Sequence, residues 1–440
     1  MPRPRDGRPL CLRRSHRSQF SKLWLDNKRR ILLVSPPYRE TLQGENSVDG
    51  VYLRKQESLF REGLLEDVIP FWIENGLDHK HGGILTCLDR DGSIYDDDKS
   101  VWFQGRFGWV AARAYLDFAA GDACLAAAKS CVEFLREHCI DEDGRMFFHL
   151  TRDGRPIRKR RYAFSEAFAA MAFAAYARAS GNDEYAQLAI KTFNLFVEHM
   201  ISPGRVPPKF CGTRPMHSLG APMIAIGAAQ AIRREIEFAG ADKLIGEWIE
   251  TIVQHSMNRE LEVLLENSAD NGDLIDHIDG RTINPGHSIE AAWFILQEAK
   301  YRQDQKLIDI GTTILDWMLS RGWDEEFGGI LYFLDAKGLP VQEYWHDMKF
   351  WWPQNEAIIA TLLAYQLTRD ERYLDWHSKV SEWTHAHFPD PEFGEWYGYL
   401  HRDGSVSNRA KGNLFKGPFH IPRMQMACTE IINELLDEEN

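Results

Sequence analysis

Gly82-Gly-Ile-Leu-Thr-Cys-Leu-Asp-Arg-Asp-Gly92 returns three times in altered form, as Gly144-Arg-Met-Phe-Phe-His-Leu-Thr-Arg-Asp-Gly154, Gly328-Gly-Ile-Leu-Tyr-Phe-Leu-Asp-Ala-Lys-Gly338 and Gly394-Glu-Trp-Tyr-Gly-Tyr-Leu-His-Arg-Asp-Gly404. Each copy is a short β-prone run that closes on an Asp-Gly or Lys-Gly turn, where glycine supplies the positive φ of a tight hairpin. A looser fifth copy runs from Gly272 to Arg281. Apolar spacing and breakers between the copies predict twelve helices, near 52–75, 100–119, 122–138, 163–180, 183–201, 218–238, 242–257, 285–302, 304–320, 349–368, 370–387 and 418–437. After the first helix, turns such as Gly121-Asp122, Gly181-Asn182, Gly240-Ala241 and Arg369-Asp370 are too short for anything but antiparallel neighbours.

The starts of alternate helices carry Arg106, Glu166, Pro222, His287, Glu356 and His420, at intervals of 60, 56, 65, 69 and 64 residues. Six two-helix units, none able to bury its apolar face alone, close best as a ring. The fold class is therefore all-α: an (α/α)6 barrel of six inner and six outer helices, with short β-hairpins between helix pairs. The 440 residues would allow three domains, but the recurrence makes residues 49–440 one domain. Equivalent points on the inner helices converge at one rim, and charged groups there are costly unless paired or functional.

Hydrophobic residues at 44% and charged residues at 27% exclude disorder and low complexity. Aromatic residues at 12%, with 14 Trp, call for a large core or an aromatic-lined cleft. The net charge of −13 argues against nucleic acid as the ligand. It hides an asymmetry, because residues 1–40 hold eleven Lys/Arg and three acids. Residues 1–48 are expected to be a basic N-terminal extension, disordered or non-native, with organelle targeting as the alternative; the apolar run Ile31–Val34 is too short for a signal core. Seven Cys without a CxxC, three of them (Cys124, Cys131, Cys139) in an apolar helical stretch, fit buried thiols in a reducing cytoplasm. No run approaches the ~18 apolar residues a membrane span needs.

Four sites could carry chemistry. His287, in Asn284-Pro-Gly-His-Ser-Ile-Glu290, falls in a first helical turn, free to titrate or simply to pair with Glu290. His420, in Lys416-Gly-Pro-Phe-His-Ile-Pro-Arg423, sits on a backbone fixed by glycine and prolines, as a titrating group or a packing one. Glu356 follows Lys349-Phe-Trp-Trp-Pro-Gln-Asn, where a Trp pair before a helix-starting Pro suits a sugar platform beside an orienting acid, or a cap over core tryptophans. Arg106 follows Gly105, which permits close approach of a backbone or ligand; its alternative is an ion pair with a carboxylate such as Glu356. Glu166 reads as the repeat mate of Glu356. His79, His81, His385, His387 and His401 fall near loops or outer helices and are expected to be solvated. No HxxxH or HExxH spacing, Walker A loop or GxGxxG after a strand occurs, so no metal site is expected.

Trp102-Phe-Gln-Gly-Arg106, Asn284-Pro-Gly-His-Ser-Ile-Glu290, Trp351-Trp-Pro-Gln-Asn-Glu356 and Lys416-Gly-Pro-Phe-His-Ile-Pro-Arg423, in this order, resemble the N-acylglucosamine 2-epimerases. That family shares the barrel with cellobiose 2-epimerases and mannose-type isomerases. The resemblance spans about residues 52–437. It implies that Arg106 is the essential arginine, His287 and His420 the catalytic histidines and Glu356 the essential glutamate. Gln354 stands where many members have His, so it is given no acid–base role. Trp351, Trp352, Glu290, Glu166 and Gln104 are the candidates for holding the sugar. The implied reaction interconverts N-acetyl-D-glucosamine and N-acetyl-D-mannosamine. The ring opens, one histidine takes the C2 proton next to the carbonyl, the other returns one to the opposite face, and Arg106 stabilises the enediolate. The resemblance also implies a cytoplasmic homodimer needing no cofactor for its chemistry, and admits ATP as an allosteric effector. Alternatives are an isomerase or 2-epimerase on mannose or cellobiose, a glycoside hydrolase using Glu166 and Glu356 as its carboxyl pair, and a non-catalytic protein-binding role.

Overall fold

The computed structural model describes residues 48–202 and 204–438; the expected N-terminal extension lies outside the described residues except for residue 48. The chain begins with α1 (Val48–Glu62), which runs through a π-helical turn (Gly63–Val68) into α2 (Ile69–Gly76). Then come α3 (Val101–Phe118), α4 (Asp122–His138), α5 (Phe164–Ser180), α6 (Asp183–Met200), α7 (Gly220–Glu235) and α8 (Ala241–His255). A short α9 (Ile278–Arg281) precedes α10 (Pro285–Arg302), α11 (Gln305–Gly322), α12 (Trp351–Thr368), α13 (Glu371–His387) and α14 (His420–Glu438).

Contacts run α3–α5–α7–α10–α12–α14 and back to α3, which makes these the six inner helices of an (α/α)6 barrel. Helices α4, α6, α8, α11 and α13 pack outside their predecessors, and α1 supplies the outer partner of α14. Inner helices are apolar on nearly every face: α12 buries every residue from Trp351 to Gln366. Outer helices are amphipathic, as expected where one side meets solvent. Gly105 serves backbone approach rather than a ligand, since a Cβ there would lie 2.6 Å from the Phe168 carbonyl carbon of α5.

Three of the four strong repeats form short hairpin ladders, 87–88 with 94–96, 149–150 with 156–158 and 399–400 with 406–408. The repeat at 328–338 is not a hairpin, because its strand Leu334–Asp335 pairs with Thr282–Ile283 instead. Each of the four first bridges to the end of the helix before it, through Leu77–Ile84, Ile140–Met146, Trp323–Ile330 and Pro389–Trp396. The loose copy at 272–281 is not a hairpin: a turn at Gly272 leads into α9. The repeats also hold one another. Asp78 accepts Arg152 Nε (2.9 Å) and Lys99 Nζ (3.0 Å), Asp324 accepts Arg402 Nε (2.8 Å) and Lys349 Nζ (2.9 Å), and Asp390 accepts Arg90 Nε (2.8 Å) and Lys411 Nζ (3.0 Å). In each case the Arg of an Arg-Asp-Gly turn reaches back to the preceding repeat around the ring. Arg90 belongs to the first repeat and Asp390 to the last, so this third triad closes the circle.

Candidate active site

Two sugar-binding candidates belong to this scaffold instead of the cavity. Gln104 accepts from Ile84 N and donates to Ile84 O, each at 2.8 Å. Gln354 clamps Ile330 in the same way, at 2.8 and 2.9 Å. Glu166 Oε1 accepts from Met146 N (2.8 Å) and Arg145 Nε (2.6 Å). All three fix the residue that bridges hairpin to helix, so Glu166 is the repeat mate of Gln104 and Gln354, not of Glu356. Its carboxylate is turned away from the axis and cannot form a hydrolase pair with Glu356.

The barrel axis holds a cavity of about 1030 Å³. Its mouth is aromatic, with Trp345, Phe415, Tyr399 and Tyr332. Below them lie His287, His420, Arg106, Glu290, Trp351 and Trp352. His287 reaches this level because Asn284 caps α10, its Oδ1 accepting from His287 N at 3.0 Å, with Pro285 at the first helical position. His420 is itself the first residue of α14. Helix α12 begins at Trp351, so the Trp pair forms its first turn, where Pro353 is tolerated, and Glu356 stands on the second turn.

Glu356, fully buried, is the hub. Its Oε1 lies 2.7 Å from His420 Nδ1 and 2.6 Å from Arg423 Nη2, and its Oε2 accepts from Trp293 Nε1 at 2.7 Å. Arg423 Nη2 also donates to Glu290 Oε1 at 2.5 Å. The ion pair with Glu356 considered for Arg106 thus falls to Arg423, one turn below His420. Glu290, Glu356 and His420 offer ligand atoms within 4.8 Å of one another, but the Arg423 guanidinium already supplies the compensating cation. Arg106 is caged by rings instead, its Cζ 4.1 Å from the Phe168 centroid and 4.9 Å from that of Phe419. Its Nε has no hydrogen-bond partner among the described residues. Burial and Arg423 lower its pKa to about 9, against the pull of Glu290 and Glu356.

The histidines differ. Burial, Arg423 and Arg106 hold His420 well below the ordinary imidazole value. For His287, burial acts in the same sense but is outweighed by Glu266, Glu290 and Glu356, so its pKa is raised. Its Nδ1 lies 2.8 Å from Glu266 Oε1. Trp352 lies against both rings, 5.0 Å from His287 and 5.8 Å from His420 between centroids. Trp351 meets His420 edge-on at 6.0 Å, and its Nε1 is a buried donor without a partner among the described residues. His385 is not solvated: it packs on Phe60 and Trp396, and burial depresses its pKa to about 4. Glu266, Arg423, Trp293 and the rings around Arg106 escaped the sequence reading. Arg423 and Phe419 carried a signal, as residues of the His420 motif.

A closed ring of paired helices surrounds an aromatic cavity, on which stand two histidines each backed by a carboxylate and a guanidinium with no ion pair among the described residues, groups that can exchange protons with a small polar ligand. The N-acylglucosamine 2-epimerase (GlcNAc 2-epimerase) family model matches residues 83–416, and the chain belongs to that family. It is 39% identical to the N-acylglucosamine 2-epimerase of Bos taurus over 84% of this chain and 90% of that one. The structure of cellobiose 2-epimerase from Spirochaeta thermophila superposes with a TM-score of 0.76 at 23% identity, over 88% of this chain and 98% of that one. A D-mannose isomerase structure does so with a TM-score of 0.74 at 20% identity, over 86% and 98%. These two likenesses bear on the fold.

Proposed function

We propose that this chain, a carbohydrate epimerase and so an isomerase, interconverts N-acetyl-D-glucosamine and N-acetyl-D-mannosamine at C2. The observation that carries the chemistry is the pair of histidines on one cavity, each with Nδ1 on a carboxylate. A histidine whose Nδ1–H is held by a carboxylate presents Nε2 as its working atom. His420 Nδ1 cannot both donate to Glu356 and accept from Arg423, and the 2.7 Å contact with a carboxylate decides for Glu356.

The open-chain sugar exposes a C2 proton beside its aldehyde. One histidine removes it while the other, protonated, supplies a proton to the opposite face. The two pKa values are displaced in opposite directions, His287 upward and His420 downward, which favours placing a single shared proton on His287, as a two-base reaction needs. Arg106, short of polar partners and facing the cavity, is placed to stabilise the enediolate oxygen as charge develops. The aromatic mouth suits the apolar faces of a sugar. The proton-transfer groups are all protein side chains, so the chemistry calls for no cofactor. Further proposals rest on the family resemblance: a homodimer, a cytoplasmic location and ATP as effector.

Substrate choice is tested by incubating the protein with N-acetyl-D-glucosamine, mannose and cellobiose and reading products by NMR. N-acetyl-D-mannosamine from the first sugar, with no ketose from the others, is expected. Ketose formation from mannose in preference would assign the barrel to the isomerases.

A further inference from the structure

Glu266 stands on none of the inner helices, yet it makes the side-chain hydrogen bond of His287. It lies between the strands Val263–Leu264 and Asn267–Ser268. The backbone there is fixed: Leu219 N donates to Glu266 O at 3.0 Å, and residues 267–268 pair with 217–218. The site is thus built of two His–Glu dyads, His420 with Glu356 and His287 with Glu266.

What else each carboxylate meets separates them. Glu356 also receives Arg423 and Trp293, so its negative charge is largely spent. Glu266 pairs with no lysine or arginine among the described residues, and its side chain is only 16% exposed. The charged and titratable groups around His287 are Glu266, Glu290 on its own helix, Glu356 on α12, and His420 on α14, with Tyr332 beside Glu266. Arg423 and Arg106 are the cations that act on His420, and Arg423 also binds Glu290.

We propose that Glu266 is a positioning residue for the epimerisation, holding His287 Nδ1–H, aiming Nε2 at the cavity and making His287 the protonated member of the histidine pair. This rests on the two-histidine reading of the site. In the resting pair His420 Nε2 takes the C2 proton, the C–H electrons form the C1–C2 double bond, and O1 gains the negative charge. His287 Nε2–H then protonates C2 from the other face and the carbonyl reforms. The proton now sits on His420, and exchange with solvent restores the resting state. The reverse reaction uses the swapped state. Both directions need the singly protonated pair, so the alkaline limb of kcat/KM reports loss of the pair's last proton, which on this proposal rests mainly on His287.

Glu266→Gln keeps an acceptor and removes the charge. Its alkaline limb is expected to move to lower pH, equally in both directions because the epimer equilibrium fixes their ratio, with kcat down on the order of tenfold and KM little changed. Glu266→Asp, which keeps the charge, should keep the limb in place. Independently, the His287 ring resonance should titrate above that of His420 in the unmodified protein, and at lower pH in Glu266→Gln. A His287 that titrates below His420, or a limb and resonance unmoved in Glu266→Gln, would overturn the proposal, as would equal limb shifts in the Gln and Asp variants. If the unmodified protein exchanged no sugar C2 proton, the epimerase reading would fall, while the titration, which needs no sugar, would still decide whether the dyad exists.

Discussion

Arg423 carries more of the site's electrostatics than any group around it, because two buried carboxylates, Glu290 and Glu356, share its Nη2. Arg423→Met would leave those charges facing each other without a cation. A stability loss of about 3–5 kcal/mol in urea titration is expected, together with loss of turnover, since Glu356 would no longer be held against His420. Arg106 should behave oppositely. It makes ring contacts but no close ion pair among the described residues, so Arg106→Gln should fold with nearly unchanged stability while kcat falls about 10²–10³-fold. Melting curves and initial rates on the two variants would separate a structural arginine from a catalytic one. The four motif residues were legible because they stand at the starts of inner helices, where periodicity places them on one rim. Glu266 was not, since a loop carboxylate has no period to betray it. Gln104 and Glu166 misled for a related reason: at the same rim, one residue can face the axis while another faces the hairpin, and spacing alone does not tell which.

Among the elements, the three Asp–Lys–Arg triads do what sheet edges or long loops do elsewhere, joining the first strong repeat to the second, the third to the fourth and the fourth to the first. Burial alone would raise Asp78, Asp324 and Asp390, but hydrogen bonds from their Arg and Lys partners outweigh it and hold all three below the usual carboxylate range. The stability they contribute is therefore present above the ordinary Asp value of about 4 and drains away as pH falls through the depressed values. Asp324→Asn, which strands the fully buried Lys349, should cost about 3 kcal/mol or more near neutral pH and flatten the acid dependence of unfolding. Equilibrium unfolding at several pH values reads both effects. Three of the four hairpins and most helix boundaries could be read from glycine turns and apolar spacing. The π-turn within the first helical stretch and α9 could not, because each depends on tertiary packing more than on local pattern.

Across the whole molecule, closure makes the barrel one unit. Helix α1 covers α14, and the Arg90–Asp390 pair joins the first repeat to the last. A chain starting at residue 46 keeps every element of that ring among the described residues, and its melting temperature and rate are expected to match those of the full chain. The same closure places residues from α3, α10, α12 and α14 around one cavity, which is what the two-base reaction requires. The most direct test follows the hydrogen at C2. N-acetyl-D-glucosamine is turned over in D2O by the unmodified protein, His287→Ala and His420→Ala. The N-acetyl-D-mannosamine first formed should carry solvent deuterium at C2 while the remaining substrate carries little, and each variant should lose turnover by about 10²–10⁴-fold. Product that keeps its original C2 hydrogen, or full turnover in either variant, would contradict proton transfer between two histidines.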